Sequence, residues 1–184
     1  MRIVGGRLRG RLLRAPASRA IRPTSERLRE SIFDILIHRH PDRLEGARAI
    51  DLFAGSGGLG LEALSRGAEF ALFVDDSIEA RALLRANVEA LGLGAQAQIR
   101  RADATRLGPA PPGPAFTLAF LDPPYGKGLA APALAALAGG GWLAADALCV
   151  VEEALSAEVV APEPFALVDE RTYGDTKIAM LRLT

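Results

Sequence analysis

The segment Asp51-Leu52-Phe53-Ala54-Gly55-Ser56-Gly57-Gly58-Leu59-Gly60 most limits what this chain can become, because it joins a short apolar run to a helical one. Residues 49–53 read as a buried strand and residues 60–65 as the first turns of a helix. Between them, Gly55 and Gly57 permit a tight turn that brings backbone close to a ligand, and Gly60 lets the helix lie close on the strand. Ser56 adds a hydroxyl beside that ligand. Glycine runs of this spacing occur in several kinds of ligand-binding strand–helix turn and also in plain turns, so the neighbouring segments must decide.

Those neighbours repeat the pattern. Residues 70–74, Phe-Ala-Leu-Phe-Val, form a second strand ending in Asp75-Asp76, about twenty residues beyond the glycines, where a carboxylate accepts hydrogen bonds from ribose hydroxyls. Asp75 is the expected ribose ligand. Asp76, with Glu79 three residues on, resembles a capping box for a helix over residues 77–91 that Gly92 ends. A third strand, residues 97–101, leads to Ala102-Asp103-Ala104. There Asp103 either reaches an adenine amino group or caps another helix, and both readings stand. A fourth strand, residues 116–121, follows a Pro/Gly-rich loop and closes on Asp122-Pro123-Pro124-Tyr125. Open parallel sheets bind ligands at this carboxyl edge.

The Asp-Pro-Pro-Tyr stretch suits one chemistry well. The lone pair of a base's exocyclic amine is delocalised into the ring, so the nitrogen reacts poorly until acceptors hold its N–H groups and leave the lone pair aimed outward. Asp122 supplies one acceptor and the Pro123 carbonyl another. Pro123 and Pro124 lack N–H groups and have fixed φ, which stiffens the loop presenting that oxygen. Tyr125 offers a flat ring against which an unstacked base can lie, an interaction typically worth ~1–3 kcal/mol. Read plainly, the same four residues would also make an ordinary turn.

Taken together, these motifs resemble those of the bacterial small-subunit ribosomal RNA guanine-(2-amino)-methyltransferases. The matching segments are Arg2-Ile3-Val4-Gly5-Gly6, Arg9-Gly10-Arg11, Arg22-Pro23-Thr24, Arg27-Leu28-Arg29-Glu30, residues 51–65, Asp122 to Tyr125 and Gly141-Trp142-Leu143. The resemblance implies S-adenosylmethionine as methyl donor and one small-subunit guanosine as target. It also implies an α/β, Rossmann-like class I methyltransferase fold: a seven-stranded, mostly parallel sheet with an antiparallel last strand, helices on both faces and a basic N-terminal β-ribbon. The implied catalytic residues are Asp122, Pro123, Pro124 and Tyr125. Cofactor binding falls to Asp51, Ala54, Gly55, Ser56, Gly57, Asp75, Asp103 and Ala104. The family usually has Glu-x-Asp after the second strand, where this chain has Asp75-Asp76-Ser77.

Composition sets the class and the charge sets the partner. With 184 residues, 49% hydrophobic and 24% charged, the chain suits a globular core. The zero net charge hides a division: residues 1–40 hold ten arginines and three acids, so the remainder is acidic to the same extent. We therefore expect residues 1–23 to form a basic arm and residues 24–184 the methyltransferase domain. Arg7, Arg9, Arg11, Arg22 and Arg27 are the expected RNA contacts, since guanidinium groups pair bidentately with phosphates. The alternation Arg7-Leu8-Arg9 after Gly5-Gly6 suggests a ribbon. Next, Thr24 or Ser25 caps a helix with Leu28, Ile32, Ile35 and Leu36 on one face.

The remaining segments read as architecture. Residues 129–137 form an Ala/Leu helix, Trp142 and Cys149 are core residues, and residues 165–173 and 176–183 make an antiparallel hairpin turned at Gly174-Asp175. Glu152-Glu153 is expected to be a solvated strand end, with a site role open. No apolar leader, spanning run or helical His pair is found, so the expectations are a cytoplasmic monomer, no membrane contact, no metal, and ribosomal RNA or the small subunit as partner. The alternatives are an adenine amino-methyltransferase, a methyltransferase of a protein glutamine amide, against which the basic arm argues, a nicotinamide-dependent oxidoreductase, and a non-catalytic RNA-binding module.

Overall fold

The apolar runs do become strands, and their pairing creates the site. In the computed structural model, which describes residues 1–15, 25–157 and 159–184, seven strands make one sheet in the order β3-β2-β1-β4-β5-β7-β6. They are β1 (Arg48–Leu52), β2 (Phe70–Val74), β3 (Ala97–Arg100), β4 (Phe116–Leu121), β5 (Leu143–Ala154), β6 (Phe165–Tyr173) and β7 (Thr176–Leu183). Neighbours from β3 through β5 pair in parallel, while β7 runs antiparallel to both β5 and β6. The helices are α1 (Glu26–Arg39), α2 (Gly58–Ser65), α3 (Ile78–Leu91) and α4 (Ala130–Gly139). This is the class I methyltransferase architecture that the sequence implied.

Strand alternation divides the core into two layers. Ala49, Phe73, Leu118, Phe120 and Val150 face α1, α2 and α3, where Phe33 meets Phe120 at 5.6 Å between ring centroids. Their alternates Ile50, Leu52, Leu121, Cys149 and Val151 face α4 and Trp142. A period of two along each strand thus supplies both faces, as expected for strands covered on either side. Trp142 is a core anchor as expected, its indole N–H donating to the Gly108 carbonyl at 2.9 Å. Burial pushes the Cys149 thiol up to about 12, so it behaves as a small hydrophobe.

Caps and turns account for the helix ends, with one correction. Ser25 caps α1 by accepting the Leu28 N–H, and Leu28, Ile32 and Leu36 are buried on its inner face as the sequence suggests, together with Phe33. For α3, Gly92 closes the helix in the left-handed conformation, as expected, but the N-cap is Ser77 rather than Asp76. The reason is Asp75, whose carboxylate accepts the Ser77 N–H at 2.9 Å and holds Ser77 at the threshold of the helix. Asp76 is left exposed.

Residues 1–15 of the N-terminal arm pair with one another in antiparallel fashion, without forming regular strands. A single antiparallel bridge joins Arg2 and Leu12, and Gly6–Leu8 forms a 3-10 turn. Ile3 donates to the Arg11 carbonyl at 3.0 Å, and Gly10 and Leu13 donate to the Ile3 and Met1 carbonyls at 2.9 Å, while other backbone groups meet side chains of the domain. Val4 and Gly5 donate to Glu62 at 2.9 and 2.7 Å, Leu8 donates to Ser65 Oγ at 3.0 Å, and Arg14 donates to Asn87 Oδ1 at 2.7 Å. Unpaired buried N–H groups are costly, and α2 and α3 satisfy these ones. Residues 4–14 therefore lie against α2 and α3.

Close packing of α2 on the sheet depends on Gly60, because a Cβ there would strike the ring of Phe73, which is fully buried on β2. Gly60→Ala is expected to destabilise the protein by about 1–3 kcal/mol, as overpacking of a dense core does. Urea denaturation measures it, and an unchanged midpoint would contradict the packing argument.

Candidate active site

Strand order determines where the site forms. The chain leaves β1 toward β2 on one side, while β4 lies on the other, and a crevice opens between the two strand ends. Residues Leu52 and Leu121 are register partners, so the loops that follow them start side by side. There a cleft of about 700 Å³ is lined by the glycine loop, the ends of β2 and β3, the Asp-Pro-Pro-Tyr segment, and Met1, Ser25 and Leu28.

Within the glycine loop, every turn is secured. Phe53 has φ 58 and Gly57 φ 84, both left-handed, which reverses the chain between strand and helix. Such a φ costs Phe53 of order 1 kcal/mol, whereas Gly57 adopts it freely. Ala54 donates to the Val74 carbonyl at 3.1 Å and Gly57 to the Ala54 carbonyl at 2.7 Å. Asn87, buried on α3, donates to the Ser56 carbonyl at 3.0 Å. Ser56 itself is buried and lines the cleft.

Two aspartates brace this loop. Asp51 Oδ2 accepts the Gly60 N–H at 2.9 Å, and Asp75 Oδ2 accepts the Gly55 N–H at 2.9 Å. With its other oxygen on Ser77, Asp75 ties the glycine loop to the start of α3 while still lining the cleft. Burial drives the Asp51 carboxyl up to about 8; the Gly60 N–H opposes the rise and Asp75 adds to it. Asp103 behaves differently. It is exposed and caps a turn rather than a helix, accepting the Thr105 N–H at 2.8 Å and its hydroxyl at 2.7 Å. Those two bonds hold its carboxyl below the ordinary range. Ala104 is buried beside it and also lines the cleft.

Across the crevice, β4 delivers Asp122 half-buried, Pro123 buried, Pro124 exposed and Tyr125 half-buried. The Tyr125 hydroxyl donates to Glu152 Oε1 at 2.7 Å and lies 3.1 Å from Thr176 Oγ1. Burial raises the phenol well above its ordinary value, and Thr176 opposes the rise while Glu152 reinforces it. Glu152 and Glu153 do not form a solvated strand end: they are 4% and 3% exposed. Pairing of β5 with β7 covers this end of the strand, since Glu152 and Glu153 lie opposite Ile178 and Lys177. A sequence signal existed in the alternation, because Glu152 shares the inward face of Val150.

The arginines lie apart from these loops. Arg7 donates to Gln96 Oε1 at 2.6 Å and Arg11 to the Ala90 carbonyl at 2.9 Å, while Arg9 and Arg27 are exposed. Arg22 lies outside the described residues. Met1, Ser25, Leu28, Lys127 and Thr176 line the cleft without having been singled out for it, and Glu152, whose site role was left open, lines it too. Among the described residues no group of three or more His, Cys, Asp or Glu is placed to hold a metal ion, and no helix is long and apolar enough to cross a membrane.

Asp51 makes stability depend on pH. Because its native carboxyl titrates higher than in the unfolded chain, the folded state holds more protons through the window from about pH 4 to about pH 8, and stability falls as pH rises there. Asp51→Asn, which keeps an acceptor for Gly60, is expected to flatten this decline. Thermal unfolding across that range tests it, and an unaltered slope would remove Asp51 as the cause.

The resemblance to known proteins extends over the whole chain. It is 37% identical over 187 residues to the "Putative rRNA methyltransferase YlbH" of Bacillus subtilis, covering 99% of this chain and 98% of that one. The "Ribosomal RNA small subunit methyltransferase D" of Escherichia coli K12 is 37% identical, over 95% of this chain and 85% of that protein. Among solved structures, the "Putative methyltransferase yhhF" of Escherichia coli superposes with a TM-score of 0.84 at 32% identity, covering 100% of this chain and 97% of the other. A family model described as conserved hypothetical protein 95 matches residues 1–182, and the chain belongs to that family.

Proposed function

We propose that this protein transfers a methyl group from S-adenosylmethionine to the 2-amino group of a guanosine in small-subunit ribosomal RNA. The observation that carries the reading is the shared cleft, in which the glycine loop after β1 and the Asp122-to-Tyr125 segment after β4 face the same space. Two relatives of similar length are named as ribosomal RNA methyltransferases, one of them for the small subunit.

The charge of the cleft favours this donor over a dinucleotide. Among the described residues its lining includes Asp75, Asp76, Asp103, Asp122 and Glu152, with Asp51 held largely protonated at neutral pH, against Lys127 as the basic side chain. A ligand carrying an ammonium and a sulfonium fits such walls, whereas a pyrophosphate would be repelled by them. Asp75 meets the ribose hydroxyls, Asp103 the adenine end, and the loop from Ala54 to Ser56 the body of the molecule. When bound, S-adenosylmethionine supplies an electrophilic methyl group.

The residues of the chain then orient the acceptor. Tyr125 stacks against the unstacked base, while the Asp122 carboxylate and the Pro123 carbonyl accept the two N–H bonds of the amine. That geometry turns the nitrogen lone pair toward the donor, and Asp122 receives the proton released from the nitrogen as the new bond forms. Orientation of this sort supplies much of an enzyme's advantage. Acid walls also keep phosphates out of the cleft, so the RNA backbone is held outside it. We assign that role to the arm, residues 1–23, through Arg7, Arg9, Arg11 and Arg22, with Arg27 on α1.

Incubating the protein with labelled methyl donor and unmodified small subunits, then mapping the product by mass, tests the activity; label on a base other than guanine, or none, would refute it. Asp122→Ala is expected to keep donor affinity by calorimetry but lose at least about a hundredfold in turnover. Asp75→Ala is expected to weaken donor binding instead. Replacing Arg9 and Arg11 with Ala is expected to weaken RNA binding and to lower its salt slope by about 0.7–0.9 for each phosphate that no longer has a guanidinium partner. Filter binding at several salt concentrations measures this.

A further inference from the structure

Lys127 brings a positive charge to a cleft walled by acids, and the proposed chemistry gives it no part. It stands two residues beyond Tyr125, so their Cα atoms lie at most about 7 Å apart. Gly126 and Gly128 on either side have φ 72 and 62, and a Cβ at either would meet nothing within 4 Å. Left-handed backbone, rather than lack of room, is what calls for glycine at both positions. The loop parts two cavities: Gly126 and Gly128 border a small one of about 110 Å³ together with Glu153, whereas Lys127 borders the cleft. Lys127 is exposed, and among the described residues it has no ion-pair partner.

We infer that Lys127 grips a phosphate flanking the target nucleotide and so positions the base that lies against Tyr125. This inference rests on the RNA reading above and deepens it. A base drawn into the cleft stays tied through its sugar to two phosphates, which the carboxylates of the walls repel. Both phosphates therefore remain at the mouth, where Lys127 is the cation on the same loop as the stacking ring. An ammonium on a flexible four-carbon stem suits this contact, because it meets a phosphate oxygen as a point charge and needs no fixed approach. Arg7 and Arg11 serve another part of the RNA. They reach Gln96 and the Ala90 carbonyl, near the far end of α3. The first turn of that helix borders the cleft, and its 14 residues extend about 21 Å. Phosphates beside the base are thus out of reach of these two arginines.

The test uses small subunits assembled with ribosomal RNA in which one phosphate beside the target guanosine, as located by mass mapping, is replaced by an uncharged methylphosphonate. One preparation carries the replacement on the 5′ side and another on the 3′ side. The wild-type protein is expected to lose about tenfold or more in kcat/KM on one of the two, the size of a charge-assisted contact. Lys127→Ala is expected to lose about as much on unaltered subunits, mainly through KM, because a phosphate away from the reacting nitrogen is held alike before and during transfer. On the sensitive methylphosphonate substrate this variant is expected to lose little more, since the contact has already gone. Lys127→Arg is expected to recover most of the loss on unaltered subunits. Full additivity of the two changes would overturn the inference, as would a wild-type protein indifferent to both replacements. Weaker calorimetric binding of S-adenosylmethionine by Lys127→Ala in the absence of RNA would overturn it too, since the cation would then serve the carboxylate of the donor. Failure of the wild-type protein to methylate unaltered subunits at all would bring down the functional reading and this inference together, whereas the other outcomes strike only the latter.

Discussion

The parallel pairing of β1 with β4 is the constraint on which the site depends. These strands come from distant parts of the chain, yet their register sets Leu52 beside Leu121 and so aligns the loops that follow. One loop is shaped to approach a ligand with its backbone, and the other carries acceptors on a stiff pair of prolines. Neither loop alone encloses a cleft. The apolar alternates on both faces, Phe120 and Leu118 toward α1–α3 and Leu121 and Ala119 toward α4, hold the two strands in this register. A slip by one residue would turn every one of these side chains to the wrong layer.

Around that junction, carboxylates act as braces as often as they line the cleft. Asp51 and Asp75 spend oxygens on Gly60, Gly55 and Ser77, which fixes the glycine loop before any ligand arrives. Glu62, fully buried on α2, accepts Val4 and Gly5 of the arm and pairs with Arg66 at 2.8 Å. A buried charge is tolerated when its oxygens are this fully used, and removing its partners would be costly. Helix α2 accordingly links two ends of the molecule: it starts at the glycine loop and finishes under the basic arm. Arg29 strengthens the same corner, donating to the Arg2 carbonyl at 2.6 Å from a buried position on α1.

The charge division between the arm and the domain has a physical counterpart in the site. Among the described residues, the arginines of α3 and the arm lie outside the cleft, while six acids line it. On the proposed reading, a polyanion meets attraction at the rim and repulsion within, so that a neutral base enters more readily than its phosphates.

Much of this architecture was legible from local pattern. Strands β2, β4, β6 and β7 begin and end where the apolar runs and the turn at Gly174-Asp175 indicate, because alternation and turn chemistry act over a few residues. The glycine loop and Asp122 to Tyr125 could be assigned to strand ends for the same reason. What the local pattern could not supply were interactions between residues far apart in the chain. Glu152 is drawn to Tyr125 across 27 residues, and Val4 to Glu62 across 58. Those pairings turned an expected solvated end into a buried acceptor and docked Val4 and Gly5 on α2. Asp75 also bonds Gly55, twenty residues back, a contact that local pattern gave no sign of. Sequence determined the elements and the chemistry at their tips; only the tertiary structure, by choosing which strand ends lie together, decided which of those tips share a cleft.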